Sequence, residues 1–268
     1  VFICASHARK RIQKTAGTKR CGERMNFADG FAKLTLLDYP GRLAATVFAK
    51  GCNFRCPFCH NASLVVDPDF EGTDIAEQVL AHLENRKGRL TGLCVTGGEP
   101  LLQKDLISFL QQVKQLGYDV KLDTNGSLPD VLSDVLELGL ADAVALDIKN
   151  APGRYARTAG LPPQAEEDVL RRVEQSVRTV LASGADVEFR TTVVREFHRR
   201  DDLVNLARWL ADIGEKADQK RMPPYYLQAF KDTGDVIERG LSACSAQDME
   251  LFRLAVLPFL PHTFLRGI

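Results

Sequence analysis

From residue 44 onward, short apolar runs rich in β-branched residues alternate with longer segments in which apolar residues recur every three or four positions. The short runs predict buried strands, and the longer segments predict amphipathic helices that cover them. This alternation is typical of repeated β-α units, whose strands lie parallel in one sheet. The predicted strands cover residues 44–49, 93–96, 120–123, 143–148, 187–194 and 225–230, and residues 262–265 are a candidate edge strand.

The helix predicted over 106–116 carries its apolar residues on one face, and Gly117 supplies a C-terminal stop. Further helices are predicted over 129–138, 169–181, 201–212 and 246–257. About six β-α units are too few to close an eight-stranded barrel but sufficient for an open, curved one. The predicted fold is therefore α/β, an open partial (β/α)6 barrel, with a flat doubly wound sheet as the alternative.

The chain of 268 residues, with 45% hydrophobic composition, can bury one sizeable core. We therefore predict a single domain over residues 25–268. Residues 1–24 contain seven Lys or Arg against Glu23 alone, and no strand or helix pattern begins before Met25. We interpret residues 1–24 as a disordered extension or as upstream translation.

The formal net charge is zero, so the remaining 28 basic and 34 acidic residues leave the body of the chain mildly acidic. A phosphate-binding surface needs a basic excess, so this balance argues against a nucleic-acid partner. The sequence also contains no apolar run of the length needed for a secretory signal or a bilayer span. We expect a cytoplasmic protein without a membrane partner.

Three of the seven cysteines, Cys52, Cys56 and Cys59, lie within eight residues after the first predicted strand. Such crowding is a poor framework for disulfides. Thiolates on one short loop suit an iron-sulfur cluster, and a fourth position left open favours catalysis over a structural role. Zinc held by these cysteines and His60 is the alternative, although adjacent residues such as Cys59 and His60 rarely converge on one tetrahedral ion.

The spacing C-x3-C-x2-C, with Phe58 before the last cysteine, resembles that of the radical S-adenosylmethionine (SAM) superfamily. The resemblance implies a [4Fe-4S] cluster bound by Cys52, Cys56 and Cys59. It also implies that the remaining iron is chelated by the amino and carboxylate groups of SAM. Reductive cleavage of SAM would then give methionine and a 5′-deoxyadenosyl radical.

Three further motifs follow successive predicted strands. Thr96-Gly97-Gly98-Glu99-Pro100 resembles the family's glycine-rich motif, whose backbone receives the methionine amino group. Asp123-Thr124-Asn125-Gly126 and Asp147-Ile148-Lys149 resemble motifs of glycyl-radical enzyme activases. Because the carboxyl ends of parallel strands share one rim, all three motifs should meet the cysteine loop. The cofactor-binding residues thus implied are Phe58, His60, Gly97, Gly98, Glu99, Asp123, Asn125, Asp147, Lys149 and Arg190.

The resemblance also suggests individual roles. Asp147 and Lys149 would contact the ribose and methionine parts of SAM, and Phe58 and His60 would lie beside the adenine. Arg190 would pair with a carboxylate of the cofactor or partner. A monovalent cation is implied at Asp123, Thr124 and Asp147.

Other residues carry no predicted chemistry. We interpret Cys94 as a small buried hydrophobe and His198 as a surface loop histidine. Phe230 stands where pyruvate formate-lyase activating enzymes carry a ligand-contacting histidine, so that contact must differ or be absent.

Residues 34–65 are especially similar to anaerobic ribonucleoside-triphosphate reductase activating proteins, and the motifs also resemble pyruvate formate-lyase activating enzymes. This resemblance implies an oxidoreductase that abstracts hydrogen from the α-carbon of a glycine in a partner glycyl-radical enzyme. A flavodoxin or ferredoxin-type protein would supply the electron. The alternatives are radical modification of a small molecule on the same scaffold and a cluster that serves only electron transfer or redox sensing.

Overall fold

The computed structural model describes Met25 and residues 27–66, 74–219 and 221–268, so the prediction for residues 1–24 lies outside the described residues. Eight strands form one sheet in sequential order, in which β1 is antiparallel to β2 and all later neighbours are parallel. The strands are β1 (Phe27–Thr35), β2 (Ala44–Ala49), β3 (Gly92–Gly97), β4 (Asp119–Thr124), β5 (Ala143–Asp147), β6 (Asp186–Val193), β7 (Tyr225–Ala229) and β8 (Thr263–Arg266).

A helical segment follows each of the strands β2 to β7, which gives six β-α units. Some connections carry two helices. The helices are α1 (Ala62–Val66), α2 (Ala76–Asn85), α3 (Leu106–Gln115), α4 (Pro129–Glu137), α5 (Tyr155–Thr158), α6 (Glu166–Ala182), α7 (Arg200–Lys216) and α8 (Ala246–Val256).

The order of the strands decides between the two predicted architectures. A doubly wound sheet reverses its strand order at a switch point, whereas this sheet runs from β1 to β8 without reversal. Among the described residues, no pairing joins β1 to β8, so the barrel stays open. The prediction of an open partial (β/α)6 barrel is therefore confirmed, β8 is the predicted edge strand, and the doubly wound alternative is wrong.

Four elements were not predicted from the pattern: the strand β1 and the helices α1, α2 and α5. The sequence of β1 includes Asp29, Gly30 and Lys33 and lacks a continuous apolar run, and its pairing with β2 contains register shifts. The helix α2 buries only Val79 and Leu83, so its apolar stripe is short. The strand β1 and the helix α2 depend on tertiary contacts. In β1, for example, the centroid of the Phe27 ring lies 5.5 Å from that of Phe109 on α3.

The main core lies between the strands and the helices that cover them. The predicted apolar face of α3 is buried, including Phe109, Leu110 and Val113, and each such side chain contributes about 1.5–3 kcal/mol by leaving water. The strand positions that face the barrel interior are more polar, as with Lys121 and Asp123 on β4. Within the described residues, no helix is both long enough and apolar enough to cross a membrane.

Candidate active site

A cavity of about 810 Å³, counted with its open mouth, lies at the carboxyl ends of the parallel strands. Its size is typical of sites for small molecules and cofactors. Of the thirteen residues predicted to bind the metal or the cofactor, Glu99 alone does not line it. The other twelve are Cys52, Cys56, Phe58, Cys59, His60, Gly97, Gly98, Asp123, Asn125, Asp147, Lys149 and Arg190.

Backbone hydrogen bonds hold the cysteine loop after β2. The N–H of Cys59 donates to the carbonyl of Cys56 at 2.9 Å, and the N–H of Arg55 donates to the carbonyl of Ala159 at 2.9 Å. Burial raises the pKa of the Cys52 thiol to about 12 and that of Cys56 to about 11. Thiols of this kind become ligands when a bound metal displaces their protons.

The donor set of this loop fits an iron-sulfur cluster. Three soft sulfur donors face one cavity, with Cys56 buried and Cys52 and Cys59 half-buried. Among the described residues, no three His, Cys, Asp or Glu side chains converge on a single metal ion. A four-iron cluster requires no such convergence, because it is bound at separate corners.

The two glycines of the glycine-rich motif join β3 to the cysteine loop. Gly97 has a φ of +113°, a conformation that favours glycine. A Cβ atom at Gly98 would lie 2.0 Å from the carbonyl oxygen of Gly51. The Gly98 N–H donates to the carbonyl of Ala49, and the Glu99 N–H donates to that of Gly51, both at 2.8 Å. Glycine is therefore needed here for the approach of two protein backbones.

Glu99 is fully buried behind the cavity wall. Its Oε1 accepts hydrogen bonds from the Leu101 N–H (3.1 Å) and the Thr124 hydroxyl (2.7 Å), and its Oε2 accepts one from the Asn125 N–H (2.8 Å). Burial raises the pKa of Glu99 to about 7. The predicted cofactor contact of Glu99 is therefore corrected: its carboxylate ties the turn after β3 to the end of β4.

Charged side chains on or next to β4, β5 and β6 line the cavity and form ion pairs with one another. Arg190 donates from Nε to Asp147 Oδ1 at 2.8 Å and from a terminal nitrogen to Asp123 Oδ2 at 3.1 Å. Lys149 lies 3.2 Å from Asp147 Oδ2, and Lys121 pairs with Asp123 Oδ1. Burial opposes ionisation of Asp147, but the adjacent Arg190 and Lys149 outweigh it and hold the pKa of Asp147 below its usual range.

This pairing bears on two sequence-based expectations. Arg190 was predicted to meet a carboxylate of the cofactor or partner; in the structure it bridges two carboxylates of its own chain, and the predicted contact stays a prediction. All four carboxylate oxygens of Asp123 and Asp147 already pair with cationic side chains. The predicted monovalent cation at Asp123, Thr124 and Asp147 stays a prediction, because each paired carboxylate oxygen keeps a further lone pair.

An aromatic wall forms another side of the cavity. The His60 ring lies 5.3 Å from the Phe230 ring, and the Phe58 ring lies 5.8 Å from that of Phe197. Burial lowers the pKa of His60, so its imidazole is neutral near pH 7. Among the described residues, His60 Nε2 is buried without a hydrogen-bond partner. A buried polar atom of this kind points to a ligand that completes the site.

Comparison with known proteins decides the family. The model of the radical SAM superfamily matches residues 46–210. The chain belongs to the radical SAM superfamily. It is a radical SAM enzyme, and the family implies a [4Fe-4S] cluster and SAM as cofactors.

Three relatives illustrate the range of radical SAM proteins that the chain resembles. A protein of Methanocaldococcus jannaschii assigned as a glycyl-radical enzyme activating enzyme is 29% identical over 75% of this chain and 83% of the relative. The 7-carboxy-7-deazaguanine synthase of Thermococcus kodakarensis is 31% identical over 58% of this chain and 66% of the relative. The pyruvate formate-lyase-activating enzyme of Listeria monocytogenes is 32% identical over 42% of this chain and 49% of the relative.

His198 of this radical SAM enzyme was predicted to lie on a surface loop, and that prediction is wrong. The side chain is 2% exposed and packs edge-on against Phe58. Its Nδ1 accepts the N–H of Val194 at 3.1 Å, and its Nε2 lies 2.8 Å from the carbonyl oxygen of Lys149, which assigns the proton to Nε2. No local sequence pattern predicts this contact, because Lys149 is 49 residues away in sequence.

Sequence reasoning also missed a set of amides beside Cys52. Asn125 Nδ2 donates to Asn53 Oδ1 at 3.1 Å and lies 3.7 Å from Cys52 Sγ. The Ser127 hydroxyl donates to Asn125 Oδ1 at 2.5 Å, and Asn53 Nδ2 donates to that hydroxyl at 2.7 Å. Asn125 was predicted as a cofactor ligand, and in the structure it also orients the first cysteine.

Gln228 on β7 is a further cavity residue that the motifs did not identify. The sequence could have identified Gln228 as a candidate, since it is the one amide within the strand Tyr225–Ala229. Amide side chains are seldom buried without a partner, so such a residue in an apolar strand is a candidate site residue.

Proposed function

We propose that this radical SAM enzyme is a glycyl-radical enzyme activase. It takes a hydrogen atom from the α-carbon of one glycine in a partner enzyme and leaves a backbone radical there. The proposed partner is an anaerobic ribonucleoside-triphosphate reductase, and the proposed electron donor is a flavodoxin or ferredoxin-type protein. The observation that carries the proposal is the similarity to a protein assigned as an activating enzyme, over 75% of this chain and 83% of the relative.

In this proposal Cys52, Cys56 and Cys59 hold the cluster. The chemistry that the cluster supplies when bound is one-electron cleavage of SAM to methionine and a 5′-deoxyadenosyl radical, which becomes 5′-deoxyadenosine when it takes hydrogen from glycine. Asp147 and Lys149 bind the ribose and methionine parts of SAM.

The rest of the cavity positions the cofactor. Phe58 and His60 flank the adenine, and the backbone at Gly97 and Gly98 receives the methionine amino group. Arg190 acts through Asp147, because it fixes that carboxylate from the inner side of the barrel.

The charges in the cavity support hydrogen-atom transfer over acid-base chemistry. A general base must present an unpaired acceptor to its substrate. The carboxylates of Asp123 and Asp147 are instead paired on both oxygens. Hydrogen-atom transfer from a glycine α-carbon needs no carboxylate base, so paired carboxylates suit it.

The second candidate function is radical modification of a small molecule. The similarity to a 7-carboxy-7-deazaguanine synthase, at 31% identity over 58% of this chain, favours it. A small-molecule enzyme would release 5′-deoxyadenosine in proportion to a modified product. An activase would release it in proportion to radical formed on the partner protein.

Anaerobic cleavage of SAM tests the proposed radical chemistry. The protein is reconstituted with iron and sulfide, reduced with dithionite and given SAM, and 5′-deoxyadenosine is quantified. We expect product from the wild type and from Cys244→Ala, whose half-buried thiol lies outside the cavity. We expect none when Cys52, Cys56 and Cys59 are all replaced by alanine. A loaded, reducible cluster that yields no product would favour the electron-transfer alternative.

A further inference from the structure

Gln228 lies where three cavities meet in the barrel interior. Besides the main cavity, a second cavity of about 320 Å³ lies beside Asp38, and a third of about 380 Å³ lies beside Lys231 and Gly267. Each pair of these cavities shares one other residue. Gln228 lines all three, so it stands where they meet.

The side-chain amide of Gln228 is buried and has no hydrogen-bond partner within the described part of the chain. The residue is 8% exposed, and none of the side-chain hydrogen bonds among the described residues involves it. Its side-chain oxygen and nitrogen face the cavities that it lines. A largely buried amide that has no partner among the described residues and faces three cavities is placed to bind a ligand there.

Two arginines beside Gln228 are occupied by carboxylates of the chain. Arg266, its partner in the β7–β8 register, makes two contacts with Glu188 at 3.2 and 2.9 Å. Arg190 binds Asp123 and Asp147. Gln228 therefore offers a neutral donor and a neutral acceptor between charges that are already paired. Such a position suits a neutral ligand that also carries one donor and one acceptor.

A peptide group meets this requirement, because its N–H and C=O can pair with the Oε1 and Nε2 of a carboxamide. Glycine has no side chain to keep its backbone away from an interior position. The third cavity is lined in part by Lys231 and Thr233, which are exposed, so it opens to solvent and gives a peptide a route inward.

We propose that Gln228 is a substrate-positioning residue that holds the backbone amide of the target glycine inside the barrel. This inference rests on the proposed function and deepens it by naming the residue that recognises the peptide group. Recognition of the backbone explains how one site accepts a glycine, which offers nothing else to bind.

Binding of two matched probes tests this inference. One probe is a capped alanine peptide with one central glycine, and the other replaces the glycine N–H by an ester oxygen. Titration into the anaerobic, cluster-loaded and SAM-bound protein should show that the wild type binds the amide about tenfold more tightly than the ester. Gln228→Leu should bind both probes equally weakly. Gln247→Leu, the same change at an exposed position on α8, should discriminate like the wild type.

Folding stability supplies a second readout. Leucine replaces an amide that makes no hydrogen bond within the described part of the chain, so Gln228→Leu should unfold at about the same urea concentration as the wild type. Tenfold discrimination retained by Gln228→Leu, or equal or absent binding of both probes by the wild type, would overturn the inference. So would a marked loss of stability. Failure of the activase proposal is separate, since it appears as absence of hydrogen transfer from glycine to 5′-deoxyadenosine.

Discussion

Gly98 and Gly51 are in direct backbone contact: a Cβ atom at position 98 would lie 2.0 Å from the Gly51 carbonyl oxygen. Rotation of a side chain cannot relieve that overlap, because the obstructing atom belongs to the backbone. Cys52 follows Gly51 directly, so the same contact fixes where the first thiol lies. The end of β3 thereby positions the proposed cluster loop.

Gly98→Ala should therefore displace the cysteine loop. Overpacking of this kind costs about 1–3 kcal/mol, and we expect a lower iron and sulfide content after reconstitution as well as a lower free energy of unfolding. Gly184→Ala is the matched control, because a Cβ atom there meets nothing within 4 Å. Equal iron content in the two variants would show that the Gly98 contact does not position the loop.

Asn125→Ala should weaken binding of the proposed cluster. The change removes the amide that lies 3.7 Å from Cys52 Sγ and donates to Asn53. Loss of a group that orients a metal ligand typically costs about 10- to 100-fold in affinity or activity. The rate of iron release to a chelator measures the effect, and Asn205→Ala on the exposed face of α7 is the control. Identical release rates would contradict this role.

Arg190→Met should leave the buried Asp123 and the half-buried Asp147 short of a cation. Removal of one member of a buried ionic network costs about 3–5 kcal/mol, and urea denaturation measures it. Arg190→Lys should recover only part of the lost stability. It restores the positive charge, but one ammonium group cannot donate to Asp123 and Asp147 as the guanidinium fork does. Arg178→Met breaks an exposed pair with Glu174 and should cost less than about 1 kcal/mol. Similar losses for the two methionine variants would argue against the bridging role.

His198 should make the stability of the apoprotein depend on pH. Burial lowers the pKa of His198 in the folded protein, whereas the unfolded chain keeps the ordinary value of about 6.5. The unfolded state therefore binds the proton more readily, and the free energy of unfolding should fall as pH drops below about 6.5. A second proton, on Nδ1, would also oppose the N–H of Val194.

His198→Gln cannot take up that proton, so its unfolding free energy should fall less steeply over the same pH range. Urea denaturation at a series of pH values gives both slopes. Equal slopes for the wild type and His198→Gln would mean that His198 does not carry this dependence.

Local sequence was sufficient to predict the elements whose signal lies in neighbouring residues. The strands β2 to β8, the helix α3 and the spacing of Cys52, Cys56 and Cys59 were all predictable, and the rim that gathers the motifs follows from parallel strands. Local sequence was not sufficient where a side chain has several possible partners, as at Arg190. Arg190 meets Asp123 across 67 residues of sequence, and neither a motif nor a strand pattern records that choice.

Glu99 and β1 are two further places where local sequence does not predict the structure. The Glu99 carboxylate belongs to a recognisable motif, yet burial and three protein donors turn it away from the cavity. The strand β1 has a broken apolar pattern and forms because β2 offers it an edge. Tertiary context decides both outcomes.

Transfer of deuterium from glycine to 5′-deoxyadenosine is the most direct test of the proposed activase function. An anaerobic ribonucleoside-triphosphate reductase is prepared with α-deuterated glycine and mixed anaerobically with the reduced, cluster-loaded protein and SAM. We predict 5′-deoxyadenosine that carries one deuterium, together with a carbon-centred radical signal on the reductase. Abundant 5′-deoxyadenosine without deuterium, and without a protein radical, would contradict glycine as the hydrogen donor.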